Sequence, residues 1–509
     1  TSNHKLILKV MKNVNKIPFL IVLMGVFSLA MLLPSIHALY LGLHRVAQAF
    51  FYSSLLFLTL TILLGLSLRR PRSQSELKNT LVSLFGFYVF VPFFLAVPLW
   101  ESLVGVNFIS LYFEMVSCLT TTGATIFDAS FIISEPIHLW RSLVGWLGGF
   151  VFLIIVFATL TPLKLGGFEV FRNDSQDNYV VQGVNSQNSE ERLLMYGRKL
   201  FPIYFIITAV LFFLLLLTGN RAFTSLCLAF STLSTSGILP YNKGSSLNIS
   251  FIGQFIIFAF LILSFSHTFT LSKKFDIIGS LKFGREIRVA FILIVLVMTF
   301  LLVSDIFLYL TQNRNVEPLW ILDRVWPRLF SSVSFLATSG FSILPLNEDT
   351  PVIPFFILAG LSIVGGGIAT TAGGIKLIRF YALFKHGTNE INRLSHPRSV
   401  LGFGAAGKDI SQEGAFRSWI LFMLFSLFGV VLVTVLGFLG VSLESSVALA
   451  VSVLSTNGYL VFSAVDGFSY HDLLPSVKVW LIAGMIVGRF EVLAILVVLI
   501  PKLTLDNKV

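Results

Sequence analysis

The chain has 509 residues, 55% hydrophobic and 12% charged, with a formal net charge of +11 and a mean hydropathy of +0.87. These values exclude an ordinary soluble globular domain. The basic excess follows from membrane topology, and nucleic-acid binding is a poor explanation of it.

Apolar runs of about 20 residues, the length that crosses a bilayer, recur along the whole chain. They fall at 17–36, 46–68, 80–99, 140–160, 200–218, 249–271, 289–311, 353–375, 416–438 and 477–501. No small-residue cleavage site follows the first run and similar runs come after it, so it reads as a span and not as a cleavable signal. Placing 69–79, 161–199, 272–288, 376–417 and both termini on one side puts 27 of the 36 Lys and Arg there. Eight lie opposite, Arg141 and Arg328 among them, and Arg489 falls inside a span. The basic side is therefore cytoplasmic. The polar stretch 172–191 reads as a cytoplasmic loop. Cys118 and Cys227 form no disulfide framework or metal motif and are expected to pack.

Between long spans lie four half-length apolar segments, near 109–121, 222–235, 325–338 and 444–456. Each ends on nearly the same tripeptide: Thr121-Thr122-Gly123, Thr235-Ser236-Gly237, Thr338-Ser339-Gly340 and Thr456-Asn457-Gly458. The glycines are 114, 103 and 118 residues apart, close to one repeat length. A helix of 12–14 residues rises about 20 Å, enough to enter a bilayer and not to cross it. Extended backbone at that depth is tolerated only where it faces protein or water.

The half helices enter from the non-cytoplasmic side, so their C-termini point to mid-membrane. Each carries about half a negative elementary charge there, and four converging on one axis favour a cation. Glycine permits positive φ, which turns carbonyls to the axis without a Cβ clash, and rings of carbonyls can replace an ion's water shell. The twelve tripeptide residues are the expected ion-coordinating set.

The span at 353–375 is interrupted by Gly365, Gly366, Gly367, Gly373 and Gly374. At about 1 kcal/mol per glycine relative to alanine, the helix is expected to unwind there locally, close helix packing through small residues being the alternative. Arg489 lies deep in the last span, where a charge needs water or a partner. It is expected either in the cavity below the tripeptides, repelling cations, or paired with Glu491. Lys376 and Arg379 follow the glycines at the cytoplasmic face, as positive-inside residues that could anchor lipid headgroups or dock an acidic partner. His267 is expected to be packed and hydrogen-bonded. The tripeptides show no carboxylate at matching depth, which weighs against an ion-coupled symporter. No catalytic triad, metal-ligand spacing or phosphate-cradling motif is present, so the chain is not read as an enzyme and binds no nucleotide itself.

These residues resemble the Trk/Ktr/HKT superfamily of potassium transporters, most closely its TrkH type. The resemblance rests on Leu119 to Thr125, Ala337 to Phe341, the run Gly365 to Lys376, Gly488-Arg489-Phe490-Glu491 and His396-Pro397-Arg398, and spans about residues 75–503. It implies an all-α membrane protein of four M1–P–M2, potassium-channel-like repeats around a central pore, preceded by two extra transmembrane helices. The units are then 1–74, 75–199, 200–288, 289–415 and 416–509. It further implies a homodimer in the lipid of the plasma membrane (the bacterial inner membrane). A cytosolic, nucleotide-binding, TrkA-like subunit with RCK domains would gate it. The substrate is the potassium ion, held by the twelve tripeptide residues. Gly365, Gly366, Gly367, Gly373, Gly374, Lys376 and Arg489 form the gate. All four filter glycines are present, which favours potassium over sodium. Asn457 departs from the Ser or Thr of the other tripeptides. A sodium- or proton-coupled potassium symporter is the alternative.

Overall fold

The computed structural model describes residues 18–67, 76–127, 133–160, 189–240, 247–265, 285–311, 320–343, 355–395, 412–465 and 467–490. His267, Glu491, His396 to Arg398 and the 172–191 stretch lie outside the described residues. Among those described, the regular structure is helical. Seven helical stretches among the described residues are long and apolar enough to cross a membrane, and the chain is a multi-pass membrane protein.

Helices α1 (Phe19–Ala30) and α2 (Leu32–Tyr40) run as one stretch, followed by α3 (His44–Ser67). The first unit after them holds α4 (Glu76–Ser102), α5 (Phe108–Leu119) and α6 (Glu135–Ile155), the last extended by a π turn over Val156–Leu160. The second holds α7 (Ser189–Leu217), α8 (Ala222–Ser234) and α9 (Phe251–Ile262). The third has α10 (Arg285–Thr311), α11 (Trp320–Leu336), α12 (Phe355–Val364) and α13 (Leu377–Ser395). The fourth has α14 (Gln412–Phe438), α15 (Leu443–Leu454) and α16 (Pro475–Phe490).

Each unit repeats one packing scheme. The half helix (α5, α8, α11 or α15) lies against the long helix before it and the helix after it. That second helix also packs on the half helix of the next unit: α6 on α8, α9 on α11, α12 on α15, and α16 back on α5. The last contact closes the circle, so the half helices ring one axis.

Burial follows from this ring. The apolar stretch of α6 is 94% buried, because α6 is wedged between two half helices and the α2 end of the N-terminal pair. The apolar stretch of α14 is only 17% buried, and its outer face carries Phe416, Leu427, Val430 and Phe438. Without water outside, such apolar faces need no protein cover.

Candidate cation pathway

The four half helices end in the same backbone motif. The amide of the middle tripeptide residue donates to the carbonyl five residues back: Thr122 to Ser117 (2.9 Å), Ser236 to Ser231 (3.0 Å), Ser339 to Ser334 (2.9 Å) and Asn457 to Ser452 (2.9 Å). The amide of the first residue reaches the carbonyl three back, with the left-handed residue at that first position. This is the Schellman helix stop, which normally carries glycine there. Here it carries threonine four times, at φ 57, 52, 55 and 54 for Thr121, Thr235, Thr338 and Thr456. A β-branched residue in this region is strained by roughly 1–3 kcal/mol. A side chain retained at that cost in all four copies points to a use for its hydroxyl.

The glycines fall where the four units meet. A Cβ on Gly123 would overlap the Ser236 carbonyl oxygen, and one on Gly237 the Ser339 carbonyl oxygen. At Gly340 it would strike Asn457 Oδ1, and at Gly458 the backbone of Gly123 and Ala124. All twelve tripeptide residues thus come together in a closed circle, each glycine against the next unit. Gly123, Gly237 and Gly340 have φ of 73, 70 and 72.

Gly458 departs from that pattern. It does not share the positive φ, and it begins a 3₁₀ helix over Gly458–Ser463 where the sequence suggests irregular chain. Its amide donates to Thr122 O at 2.6 Å, and its carbonyl accepts from the Tyr470 hydroxyl at 2.8 Å. A local helix can form here because these two bonds replace the lateral contacts an extended strand would need.

Behind the first turn sits a buried ion pair. Arg141 Nε lies 2.6 Å from Glu114 Oε1, and both residues are at most 3% exposed. Glu114 Oε2 accepts from the Ile126 amide at 2.9 Å, while Arg141 Nη2 donates to Thr125 Oγ1 at 2.8 Å. The pair bolts residues 125–126, just past Gly123, onto α5 and α6. Two sequence expectations are corrected here. A carboxylate does lie beside the tripeptides, neutralised by Arg141; and Arg141 is an internal residue, not a surface marker of topology. Arg328 is likewise internal, doubly bonded to Asp305 at 2.8 and 2.7 Å. Cys118 and Cys227 are buried free thiols.

The glycine run breaks its helix where the glycines begin. Helix α12 stops at Val364, and α13 starts at Leu377. The two limbs are pinned together, Ile375 amide to Ile363 O at 2.8 Å and Lys376 amide to Val364 O at 2.9 Å. Gly365 (φ 71) and Gly374 (φ 76) press against each other at this neck, where a Cβ on either would collide with the opposite backbone.

The tip of the loop reaches the base of the ring. Thr371 Oγ1 donates to Leu233 O at 3.1 Å and lies 3.3 Å from Thr235 Oγ1. The Gly373 amide donates to Thr338 Oγ1 at 2.8 Å, and a Cβ on Gly373 would strike Thr456 Oγ1. Among the described residues, the hydroxyls of Thr121 and Thr456 have no hydrogen-bond partner. The loop therefore engages two of the four left-handed threonines and abuts a third.

Arg489 packs against the same loop. It is 1% exposed, its Nη1 donates to Thr371 O at 2.6 Å, and its guanidinium carbon lies 3.7 Å above the Phe152 ring centre. Lys376 (φ 86) faces that ring at 5.7 Å and donates to Ala372 O. At 3% and 2% exposure, Lys376 and Arg379 are internal supports of the loop. Docking of lipid headgroups or of a partner at these two residues is excluded by that burial. Sequence inspection for triplets also misses a longer pattern, S-x-L-x-T-x-G, shared by residues 117–123, 231–237, 334–340 and 452–458. Its serine is the residue whose carbonyl accepts the stop bond.

A helical membrane protein with a ring of half-helix stops around one axis, with a loop and an arginine packed against them, has the architecture of a cation-transport protein. The chain matches the family model described as TrkH, cation transport protein, over residues 46–508, and belongs to that family. It is 26% identical over 481 residues to the Trk system potassium uptake protein TrkG of Escherichia coli K12, covering 93% of this chain and 95% of that one. It is 25% identical over 489 residues to the Trk system potassium uptake protein TrkH of Vibrio parahaemolyticus, covering 94% and 96%. The crystal structure of the potassium transporter TrkH from Vibrio parahaemolyticus superposes with a TM-score of 0.77 at 22% identity, covering 96% of this chain and 99% of that one.

Proposed function

We propose that this protein carries potassium across the inner membrane through the ring of four helix stops. The observation that carries the reading is the fourfold recurrence of a strained left-handed threonine followed by a glycine pressed on the next unit. Backbone oxygens at such close approach replace water around a monovalent cation, and four helix C-termini supply the negative potential. The relatives whose names record potassium uptake match nearly the full length of the chain. Thr121, Thr122, Gly123 and their counterparts in the other three tripeptides form the filter.

Below the filter, the loop from Gly365 to Lys376 and the Arg489 charge hold the path shut. A cation arriving from the filter meets a guanidinium and a peptide chain in the space it must enter. Conduction requires the loop to leave, and the neck at Gly365 and Gly374 is its hinge. The lever is a cytosolic, nucleotide-binding RCK-domain subunit of the TrkA-like kind, acting on a homodimer of this chain. That assignment rests on the family resemblance.

The test is the filter glycine. Gly123→Ser places a side chain on the Ser236 carbonyl and should raise sodium flux relative to potassium in reconstituted vesicles. Selectivity indistinguishable from the parent protein would remove the filter assignment.

A further inference from the structure

The fourth tripeptide presents a different oxygen to the ring. In the first two junctions, the group lying against the preceding unit's glycine is a backbone carbonyl, that of Ser236 or Ser339. At the third junction, Gly340 faces the side-chain oxygen of Asn457. The Asn457 carbonyl has turned away, accepting from Ser452 Oγ at 2.9 Å, and the carbonyl of Gly458 is taken by Tyr470. Asn457 is 1% exposed, and its Oδ1 has no hydrogen-bond partner among the described residues. Burying an amide oxygen without a donor is costly, so an orphan at this place needs a reason.

The orientation of the amide is fixed by its other end. Asn457 Nδ2 donates to Ser362 Oγ at 2.9 Å. Ser362 Oγ directs its own proton to Phe335 O at 3.4 Å, which leaves Oγ as the acceptor. The oxygen therefore points at the ring and the nitrogen away from it.

We infer that Asn457 supplies the fourth quadrant's cation ligand from its side-chain amide oxygen, replacing the backbone carbonyl used in the second and third. This rests on the filter reading above. An amide oxygen is chemically the same neutral, hard donor as a peptide carbonyl, so a potassium ion meets a similar ligand there. The difference is mechanical. A side chain rotates, and this one is tethered to Ser362 on α12, three residues before the neck glycine Gly365. The fourth ligand is thus joined to the helix from which the sealing loop departs.

Two substitutions separate a ligand from a structural tether. Asn457→Leu removes the oxygen at similar volume, and Asn457→Asp keeps an oxygen and adds charge. In vesicles, Asn457→Leu should raise the half-saturating potassium concentration about tenfold and lower potassium selectivity over sodium. Asn457→Asp should hold selectivity near the parent value while barium block strengthens about tenfold, because a carboxylate favours a divalent cation.

Parent-like half-saturation and selectivity in Asn457→Leu would overturn the inference, and so would an Asp variant that loses as much as Leu. Should the Leu variant fail to give monodisperse protein, barium block of the Asp variant decides, and unchanged block counts against the ligand role. Gly123→Ser is the reference arm. If it alters selectivity while the Asn457 variants do not, the filter reading stands and the asparagine ligand falls. If neither alters it, both fall.

Discussion

The helix stops and the glycine loop meet at the same threonines, yet they are held there in different ways. Each stop is a strained backbone held from several sides. At the first, a Schellman pair sits beneath, a neighbouring unit presses on Gly123, and the Glu114–Arg141 pair lies behind. Strain persists where surroundings over-determine it. The loop is also left-handed at Ala369 and Lys376 and is bonded at its base, Gly367 amide to Ser264 O at 3.0 Å and Ile368 amide to Glu286 Oε1 at 3.2 Å. Its tip, however, meets the stops through a few single hydrogen bonds, from Thr371, from the Gly373 amide and from Arg489 to Thr371 O. Contacts of that kind are worth about 0.5–1.5 kcal/mol each, or 1.5–3 with a charge, and they can be broken and remade. In the function proposed above, a filter must hold its shape while a seal must leave, and the two constructions match those tasks.

The largest effect should come from loosening the rigid side. Glu114→Gln strands the Arg141 charge in the interior, and breaking a buried pair costs about 3–5 kcal/mol. A marked fall in thermal stability in detergent is expected; an unshifted melting temperature would show that the filter wall does not depend on the pair. Next comes the charged contact of the loop. Arg489→Ala removes the bond to Thr371 O and the cation below the ring. Basal flux without any partner should rise by about tenfold to a hundredfold, and flux that stays at the parent level would return Arg489 to a purely structural role.

A smaller change probes the seating of the loop itself. Gly373→Ala pushes a methyl group into Thr456 Oγ1 and Ser455 O, at a cost of about 1–3 kcal/mol for overpacking. Leak should rise roughly tenfold with the potassium-to-sodium ratio unchanged, because the loop gives way before the stop at Thr456, which is held from several sides. Altered selectivity in this variant would mean that loop and filter are one structure, and the contrast between them would dissolve.

Much of this arrangement is legible in the sequence. The half-length segments, the break after Val364 and the depth of Arg489 follow from hydropathy and glycine, which act locally. The third half helix runs longer than expected, 17 residues over Trp320–Leu336, because Asp323 and Arg324 interrupt the apolar pattern after its first three residues. The contacts among these elements are less accessible. Thr235 meets Thr371 across 136 positions, and Arg489 meets the same threonine across 118. No local pattern announces such pairings. Glu114 and Arg141 are 27 positions apart on different helices, and each alone reads as an ordinary charge near a membrane edge. The turn of Asn457 is hidden too, because the 3₁₀ helix after it depends on Thr122 and Tyr470, residues from outside its own motif.

The central claim is that the ring of helix stops strips water from potassium in preference to sodium. Reversal potential in vesicles holding potassium inside and sodium outside tests it directly, using the Arg489→Ala protein to keep the path open. A potential close to the potassium equilibrium value is predicted. A potential near zero, or one set by sodium, would contradict it.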